Sequence, residues 1–264
     1  LRWSKIPRTK NTFDLRFLKT NSRLVFGLYI FSLFTLFGLF FFGKQIRGLK
    51  GWYQIGPVSF APVSFAAIVL IVLLSKYFST RHIEIQRFKP ILLSGLYVFL
   101  PVIMVLLQPD LGSAIILSLI WLGMLLAAGI NKRHLFLLLI LTLVVSYGAW
   151  AEVLKPYQKE RLVSFVNPGA DPLGTGYNLI QSQVAIGSGH WFGNGLGKGS
   201  QATLGFLPEP HNDFVFAAAA EQFGLVGLGL ILAAVAFIVY RTLLIGRSAM
   251  SNFGKLFSMG ISIF

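Results

Sequence analysis

The sequence predicts an all-α, polytopic membrane protein with one large loop outside the membrane. Its 264 residues are 55% hydrophobic and only 12% charged, with a mean hydropathy of +0.71. A soluble domain carries roughly 25% charged residues. The apolar residues form long runs without the alternation of a transmembrane barrel strand, so we expect helices to be the spanning elements.

Six apolar runs are each near the roughly 17–25 residues that a helix needs to cross the hydrocarbon core. In chain order they are residues 24–42, 60–77, 90–107, 111–130, 135–150 and 214–240. A seventh run, 256–264, is too short to cross and is predicted to be part of a span. Because the chain starts without Met and ends in this run, we expect a fragment, with 1–264 forming one integral membrane domain. Pro101 lies inside its run and is expected to kink that helix.

The positive charge is confined to one predicted side of the membrane. Six spans place the N-terminal tail and residues 76–89, 131–134 and 241–255 on the same side, and these segments carry the whole net charge of +14. By the positive-inside rule this side is cytoplasmic. The charge is then explained by topology, and nucleic-acid binding loses its support. With no cysteine in the sequence, disulfides and thiolate metal sites are excluded.

The loop at residues 151–213 is predicted to be extracytoplasmic and to hold the chemistry. It contains five of the nine acidic residues and two of the four histidines. Glu209, His211 and Asp213 lie together at its end, directly before the last span. Their spacing fits no standard zinc motif, so no metal site is assigned. A carboxylate close to the low-dielectric interface suits general-base chemistry, which makes Asp213 the candidate.

Glu221 lies about two turns into the last span. An acid inside a membrane helix usually faces a protein interior or a wet cavity. We therefore expect this helix end to line a water-accessible cleft. The alternative is that residues 214–222 simply project above the bilayer.

The cations and glycines of the same loop are candidates for binding an anionic substrate. Lys155, Lys159 and Arg161 lie where the loop leaves the membrane and suit either unspecific lipid phosphates or a specific diphosphate. The glycine-rich run 193–200 resembles a phosphate-binding loop, but no predicted strand precedes it. A flexible backbone for a lipid-linked diphosphate remains open for this run.

Two further patches lie on the extracytoplasmic side. Trp52 and Tyr53 are either interfacial aromatics or site residues. Asp110 follows Gln108 and Pro109 and either caps the helix that starts at Leu111 or takes part in a site.

Five stretches of the sequence resemble the SEDS family (shape, elongation, division and sporulation), with a motif pattern similar to its elongation branch. They are residues 108–113 (QPDLGS), 167–177 (NPGADPLGTGY), 180–189 (IQSQVAIGSG, with Gln181 and Ser182), 206–216 (FLPEPHNDFVF) and 221–227 (EQFGLVG). Members of that family have ten spans, so some of its spans would lie outside this sequence.

The resemblance implies a bacterial peptidoglycan glycosyltransferase of the cytoplasmic membrane that polymerises lipid II. It implies an essential aspartate at Asp213, a motif tryptophan at Trp52, and substrate contacts from the loop cations, Glu209, His211 and Glu221. It also implies a class B penicillin-binding transpeptidase as partner and a divalent cation, Mg or Mn. The alternatives are a lipid II flippase and a scaffold that recruits a transpeptidase. A transporter should place ionisable residues near the middle of the membrane, and Glu221 near the outer end does not fit this pattern.

The sequence departs from the family pattern at four positions or segments. Residues 61–64 read APVS where the family has a QPSE-type motif, and Ala67 stands at the position of its lysine. Gln222 replaces the second of two paired glutamates, and Asn212 replaces a common threonine.

Overall fold

The computed structural model describes residues 16–46, 49–56, 58–81, 87–174, 176–207 and 213–264. Glu209 and His211 therefore lie outside the described residues, as does the side chain of Arg161. By its contacts the chain divides into two units. The first comprises the described residues up to Leu135 together with Arg241–Phe264, and the second is Phe136–Tyr240. The expectation of one domain over 1–264 stays a prediction.

The described residues form eleven helices and three short strands, with a few single turns between them. In chain order they are α1 (Arg16–Thr20), α2 (Ser22–Phe42), β1 (Lys44–Ile46), β2 (Leu49–Ile55), β3 (Val58–Phe60), α3 (Pro62–Thr80), α4 (Phe88–Leu107), α5 (Leu111–Ala128), α6 (Lys132–Gly148), α7 (Pro156–Val166), α8 (Tyr177–Ser188), α9 (Ser200–Thr203), α10 (Val215–Ser248) and α11 (Asn252–Ile263). Within these ranges six helices are long and apolar enough to cross a membrane, namely α2 to α5, α6 with its continuation to Glu152, and α10. The predicted fold class and the six spans are confirmed.

The core of the first unit is built around α3. This helix contacts α2, α4, α5 and α11, and it buries the run Val69–Ser75 together with Ala66 and Ala67. The partial span predicted at 256–264 belongs to α11, which begins at a Ser251 cap and packs on α3 and α5. At Gly260 an added Cβ would crowd Ile71 and Met124, so the missing side chain lets α11 approach closely.

The segment between α2 and α3 contains a three-stranded antiparallel sheet in the order β1-β2-β3. In the β2–β3 hairpin Ile55 pairs with Val58, and Gly56 in the turn has a φ of +61°, as tight hairpins demand. The Tyr53 hydroxyl donates a 2.7 Å hydrogen bond to the Thr35 carbonyl oxygen and ties the sheet to α2. Burial raises the pKa of Tyr53, which keeps this donor protonated.

One irregularity of the spans was not expected. Pro101 is buried inside α4, which continues without a break from Phe88 to Leu107, and the kink expected there stays a prediction. In contrast α10, expected to be continuous, has a non-helical residue at Gly224 with φ 69° and ψ −173°. The loop that precedes α10 is partly helical, because α7, α8 and α9 all lie within it.

Candidate functional site

The break in α10 is closed by the glycine-rich run of the loop before it. A break leaves backbone N–H and C=O groups without helical partners, and such groups must be satisfied where water is scarce. Two amides of the loop donate to α10 before the break, and two amides of α10 after it donate back to the loop. The four bonds are Asn194 N to Glu221 O (3.0 Å), Gly195 N to Gln222 O (3.0 Å), Leu225 N to His190 O (2.9 Å) and Val226 N to Trp191 O (3.1 Å).

Glycine is required on both sides of this junction. Gly193 has a φ of +79°, and an added Cβ there would collide with the Gln222 carbonyl. A Cβ on Gly224 would collide with backbone atoms of Gly193 and Trp191. Because the Asn194 and Gly195 amides are already bonded to α10, these two amides are not available to a phosphate, and phosphate binding by the rest of the run stays a prediction. The hypothesis of a flexible diphosphate-binding backbone at these two residues is wrong.

Glu221 is fully buried, at 0% exposure. Its two carboxylate oxygens accept hydrogen bonds from the backbone N–H groups of Gln201 (2.7 Å) and Ala202 (2.9 Å). These amides lie in the first turn of α9, where helix N–H groups lack internal partners. A Cβ on Gly199 would collide with the same carboxylate. The Glu221 side chain therefore faces the protein interior and holds the loop to α10. The expectation that this helix end lines a water-accessible cleft, and that Glu221 contacts substrate, stays a prediction.

Asp213 lies in the turn directly before α10, and its side chain is exposed. The helix behind it is held in place, because Ala217 and Ala218 are buried against Ala185 of α8 and against Leu207. This arrangement places a carboxylate at the exposed N-terminal end of a packed helix. It meets the first requirement of a general base, which is access to a substrate hydroxyl.

The predicted cations of the second unit lie on α7. Lys155 is the residue before the helix and is exposed, and Lys159 follows one turn later and is half-buried. The Lys159 Nζ lies 5.9 Å from the ring centroid of Trp150, at the long end of a cation–π contact. The two lysines thus lie within the first turn of α7, one just before the helix and one inside it.

The motif residues of α8 serve its packing. Ser182 is buried and its hydroxyl donates a 2.7 Å hydrogen bond to the Leu179 carbonyl oxygen. Gln181, its neighbour, is half-buried.

The first unit holds a cavity of about 220 Å³ that brings together two patches predicted separately. Trp52 of β2 and Asp110 before α5 both line it, and so does Ala67 of α3. Ala67 stands where the family pattern has lysine, so part of this volume is space that a longer side chain at position 67 would fill. Sequence reasoning missed this proximity, since only the fold of β2 brings Trp52 to the α4–α5 turn.

Hydrogen bonds of Gln108 and Asp110 hold the α4–α5 turn in place. Asp110 caps α5, because its Oδ1 accepts the Ser113 N–H (3.1 Å) and its Oδ2 accepts the Ser113 hydroxyl (2.6 Å). Gln108 is buried and its Nε2 donates to the Leu36 carbonyl oxygen (2.8 Å), which joins the turn to α2. Of the two roles left open for Asp110, capping is confirmed, and Pro109 lies between these two anchors.

Metal ligation finds no support among the described residues. Within them no three His, Asp or Glu side chains come together. Glu209 and His211, the nearest candidates in sequence to Asp213, fall outside this part of the chain.

Comparison with protein families and curated sequences gives a consistent result. The family described as cell cycle proteins, with FtsW, RodA and SpoVE as members, matches residues 10–264. The peptidoglycan glycosyltransferase MrdB of Escherichia coli K12 is 34% identical over 236 residues, which are 89% of this chain and 64% of that protein. The probable peptidoglycan glycosyltransferase FtsW of Pseudoalteromonas translucida is 36% identical over 215 residues, 80% of this chain and 52% of the relative. The chain thus spans less than two thirds of these relatives.

Solved structures share the fold. One comes from work described as structural coordination of polymerization and crosslinking by a peptidoglycan synthase complex. It matches with a TM-score of 0.77 and 28% identity, covering 95% of this chain and 68% of that one. The Thermus thermophilus rod shape determining protein RodA matches with a TM-score of 0.60 and 25% identity, covering 94% and 66%.

Proposed function

Because the chain belongs to the FtsW/RodA/SpoVE family of cell cycle proteins, we propose that it is a peptidoglycan glycosyltransferase that polymerises lipid II. The main support is the similarity to MrdB, a protein named as a peptidoglycan glycosyltransferase, which is 34% identical over 89% of this chain. We place the reaction at the outer face of the bacterial cytoplasmic membrane, with the N-terminal side of the chain in the cytoplasm. The motif pattern of the elongation branch assigns it to cell elongation.

In this proposal Asp213 is the general base. The 4-hydroxyl oxygen of one sugar attacks the anomeric carbon of the next, and its proton passes to the Asp213 carboxylate. The bond from the anomeric carbon to the diphosphate oxygen breaks, and undecaprenyl diphosphate leaves with the electron pair. The exposed position of Asp213 before α10 supports this role, and Glu209 and His211 are proposed as neighbouring substrate contacts.

The departing diphosphate needs positive charge. We assign this charge to Lys155, directly before α7, and to Lys159 and Arg161 of that helix. Trp52 is proposed as a further substrate contact, since an aromatic face suits a sugar ring. A divalent cation, Mg or Mn, is proposed to accompany the diphosphate of the substrate rather than to occupy a protein site, because no three-residue ligand set forms among the described residues.

A class B penicillin-binding transpeptidase is the proposed partner. The fold match to a complex described as coordinating polymerization and crosslinking supports a partner of this kind. A glycosyltransferase and a transpeptidase acting together would join strands as they are made.

The test is polymerisation of labelled lipid II by the purified full-length protein in proteoliposomes. We expect Asp213→Asn to lower the rate about 10²- to 10⁴-fold, the usual contribution of a general base. Glu160→Gln, at an exposed acid of α7, should leave the rate unchanged. A chelator should stop the reaction without changing thermal stability.

Three outcomes would contradict the proposal. A folded Asp213→Asn protein that still polymerises at the wild-type rate would remove Asp213 from the mechanism. Translocation of lipid II without polymer would establish the flippase. Neither activity, with retained recruitment of the transpeptidase, would establish the scaffold.

A further inference from the structure

Two adjoining cavities lie at one end of the first unit, and together we name them the basic cleft. The first, of about 490 Å³, lies between the start of α2, the end of α3 and Tyr97 of α4. The second, of about 360 Å³, lies between Lys19 of α1, the end of α3 and the start of α11. Both are lined by Lys76 and Thr80, so they share one wall. The chain segments at this end are those that the charge distribution places in the cytoplasm.

Among the described residues, the basic cleft is lined by four cations. Lys19, Arg23, Lys76 and Arg81 line it, and no acid is among its described lining residues. The acid that the structure does describe in the first unit, Asp110, follows the far end of α4. Asp110 comes 13 residues after Tyr97, the residue of α4 that lines the cleft, or about 20 Å along the helix axis. A cluster of cations with no acid among its described neighbours attracts an anion.

Two of the four cations are held in position. The Lys76 Nζ donates a 3.3 Å hydrogen bond to the Leu18 carbonyl oxygen and keeps two protons for another acceptor. The Arg81 guanidinium lies 5.0 Å from the centroid of the Tyr77 ring and donates to the Tyr77 hydroxyl at 3.4 Å. Fixed donors lose less entropy when they bind a ligand. Arg23 and Lys19 are exposed, so their long side chains are free to reorient toward a bound ligand.

The wall of the first cavity is apolar beneath these cations. Val25, Phe26, Leu73 and Tyr97 line it, and Phe26 is 50% exposed on α2. The same helix is long and apolar enough to cross a membrane and also exposes Phe34, Phe37 and Phe41. A cationic rim above an apolar wall matches a molecule with an anionic head and hydrocarbon chains, rather than a free anion.

We propose that the basic cleft binds the phosphate headgroup of an anionic phospholipid from the cytoplasmic leaflet. The phosphate oxygens accept hydrogen bonds from Lys76 and Arg81, and Arg23 and Lys19 neutralise the remaining charge. The acyl chains lie along the exposed face of α2 beside Phe26. Basic pockets between membrane helices on the cytoplasmic side are suited to this kind of ligand.

The test uses the full-length protein and two probes with identical acyl chains, phosphatidylglycerol and phosphatidylcholine. Native mass spectrometry from detergent counts the lipids retained at increasing lipid concentration. We expect tighter retention of phosphatidylglycerol, and its loss by about tenfold or more in Arg23→Gln/Lys76→Gln, at about 1 kcal/mol for each cation removed. The matched control is Lys132→Gln/Arg133→Gln, which removes two exposed cations of the same predicted side outside the cleft and should bind like the wild type.

Several results would overturn the proposal. Equal losses in both double variants would mean that only the overall surface charge matters. Equal retention of the two lipids, or full competition by glycerol phosphate without acyl chains, would exclude a lipid headgroup site. If Arg23→Gln/Lys76→Gln does not purify as a folded protein, Arg23→Gln alone should still weaken binding and Lys76→Arg should preserve it. Failure of both expectations would likewise reject the site.

Discussion

The carboxylate of Glu221 binds two peptide N–H groups that belong to another helix. A buried carboxylate is costly unless hydrogen bonds replace its hydration, and backbone amides at the start of α9 supply that replacement. Sequence reasoning located this acid correctly as unusual for a span. The sequence did not predict the partners of Glu221. They are main-chain N–H groups about twenty residues upstream, and no pattern of side chains reveals them.

Glu221→Gln is predicted to destabilise the protein by about 1–3 kcal/mol. The amide keeps one acceptor oxygen but turns an NH₂ group toward a peptide N–H, which leaves that buried donor without an acceptor. Thermal unfolding of the purified protein in detergent measures the loss. Glu152→Gln, at an exposed acid, is the control and should unfold like the wild type. An unchanged transition temperature for Glu221→Gln would contradict the hydrogen-bonding role.

At the scale of elements, α10 and the glycine-rich run form one structural assembly. The helix is interrupted at Gly224, and the four cross-bonds to the loop replace the helical bonds that the interruption removes. The sequence around the break is apolar and contains Gly227 and Gly229 as well. Nothing in that pattern distinguishes the glycine at the break from the others, so a continuous helix was the natural prediction.

Gly224→Ala and Gly229→Ala form a matched pair within the same helix. Gly224 has a φ of +69°, and its added Cβ would collide with backbone, whereas a Cβ at Gly229 meets nothing within 4 Å. We expect Gly224→Ala to destabilise by about 1–3 kcal/mol and Gly229→Ala to be neutral or slightly stabilising. The measurement is the thermal unfolding temperature of the two variants. Equal changes in this temperature would contradict a break in α10 at Gly224.

At the scale of the whole molecule, the sequence was sufficient for the fold class and the number of spans. Helix lengths follow from the thickness of the hydrocarbon core, so apolar runs predict them to within a few residues. The sheet at residues 44–60 was not predicted. Its three strands are short, so the alternation of apolar and polar residues along them is too brief to indicate a sheet. The 220 Å³ cavity beside Trp52 was missed for a related reason, since it depends on which loops meet.

The candidate site was predictable only in part. The cations at α7 and the carboxylate of Asp213 were chosen from their positions in the chain, and their roles stay predictions. The glycine-rich run is held to α10 by backbone hydrogen bonds. Its resemblance to a phosphate-binding motif did not predict this structural role. The capping role of Asp110 was one of two alternatives, and Ser113 three residues later is what decides it.

The orientation of the molecule gives a prediction that uses the absence of cysteine from these 264 residues. A cysteine placed at the exposed Ala170, in the loop before α10, should react with a membrane-impermeant maleimide in intact cells. One placed at the exposed Lys132, before α6, should react only after the cells are permeabilised. The reverse pattern would invert the topology, and labelling of both in intact cells would rule out this membrane arrangement.

The break at Gly224 also has a mechanical consequence. Residues 225–248 alone are about 36 Å long as a helix, enough to cross the hydrocarbon core. When the surrounding bilayer becomes thinner or thicker, this inner segment can respond by tilting. The outer segment, residues 215–223, lies on the other side of the break and is joined to the inner one through the loop, which is hydrogen-bonded to both segments. Asp213, which precedes the outer segment, would then move less than the inner segment when the membrane changes in thickness.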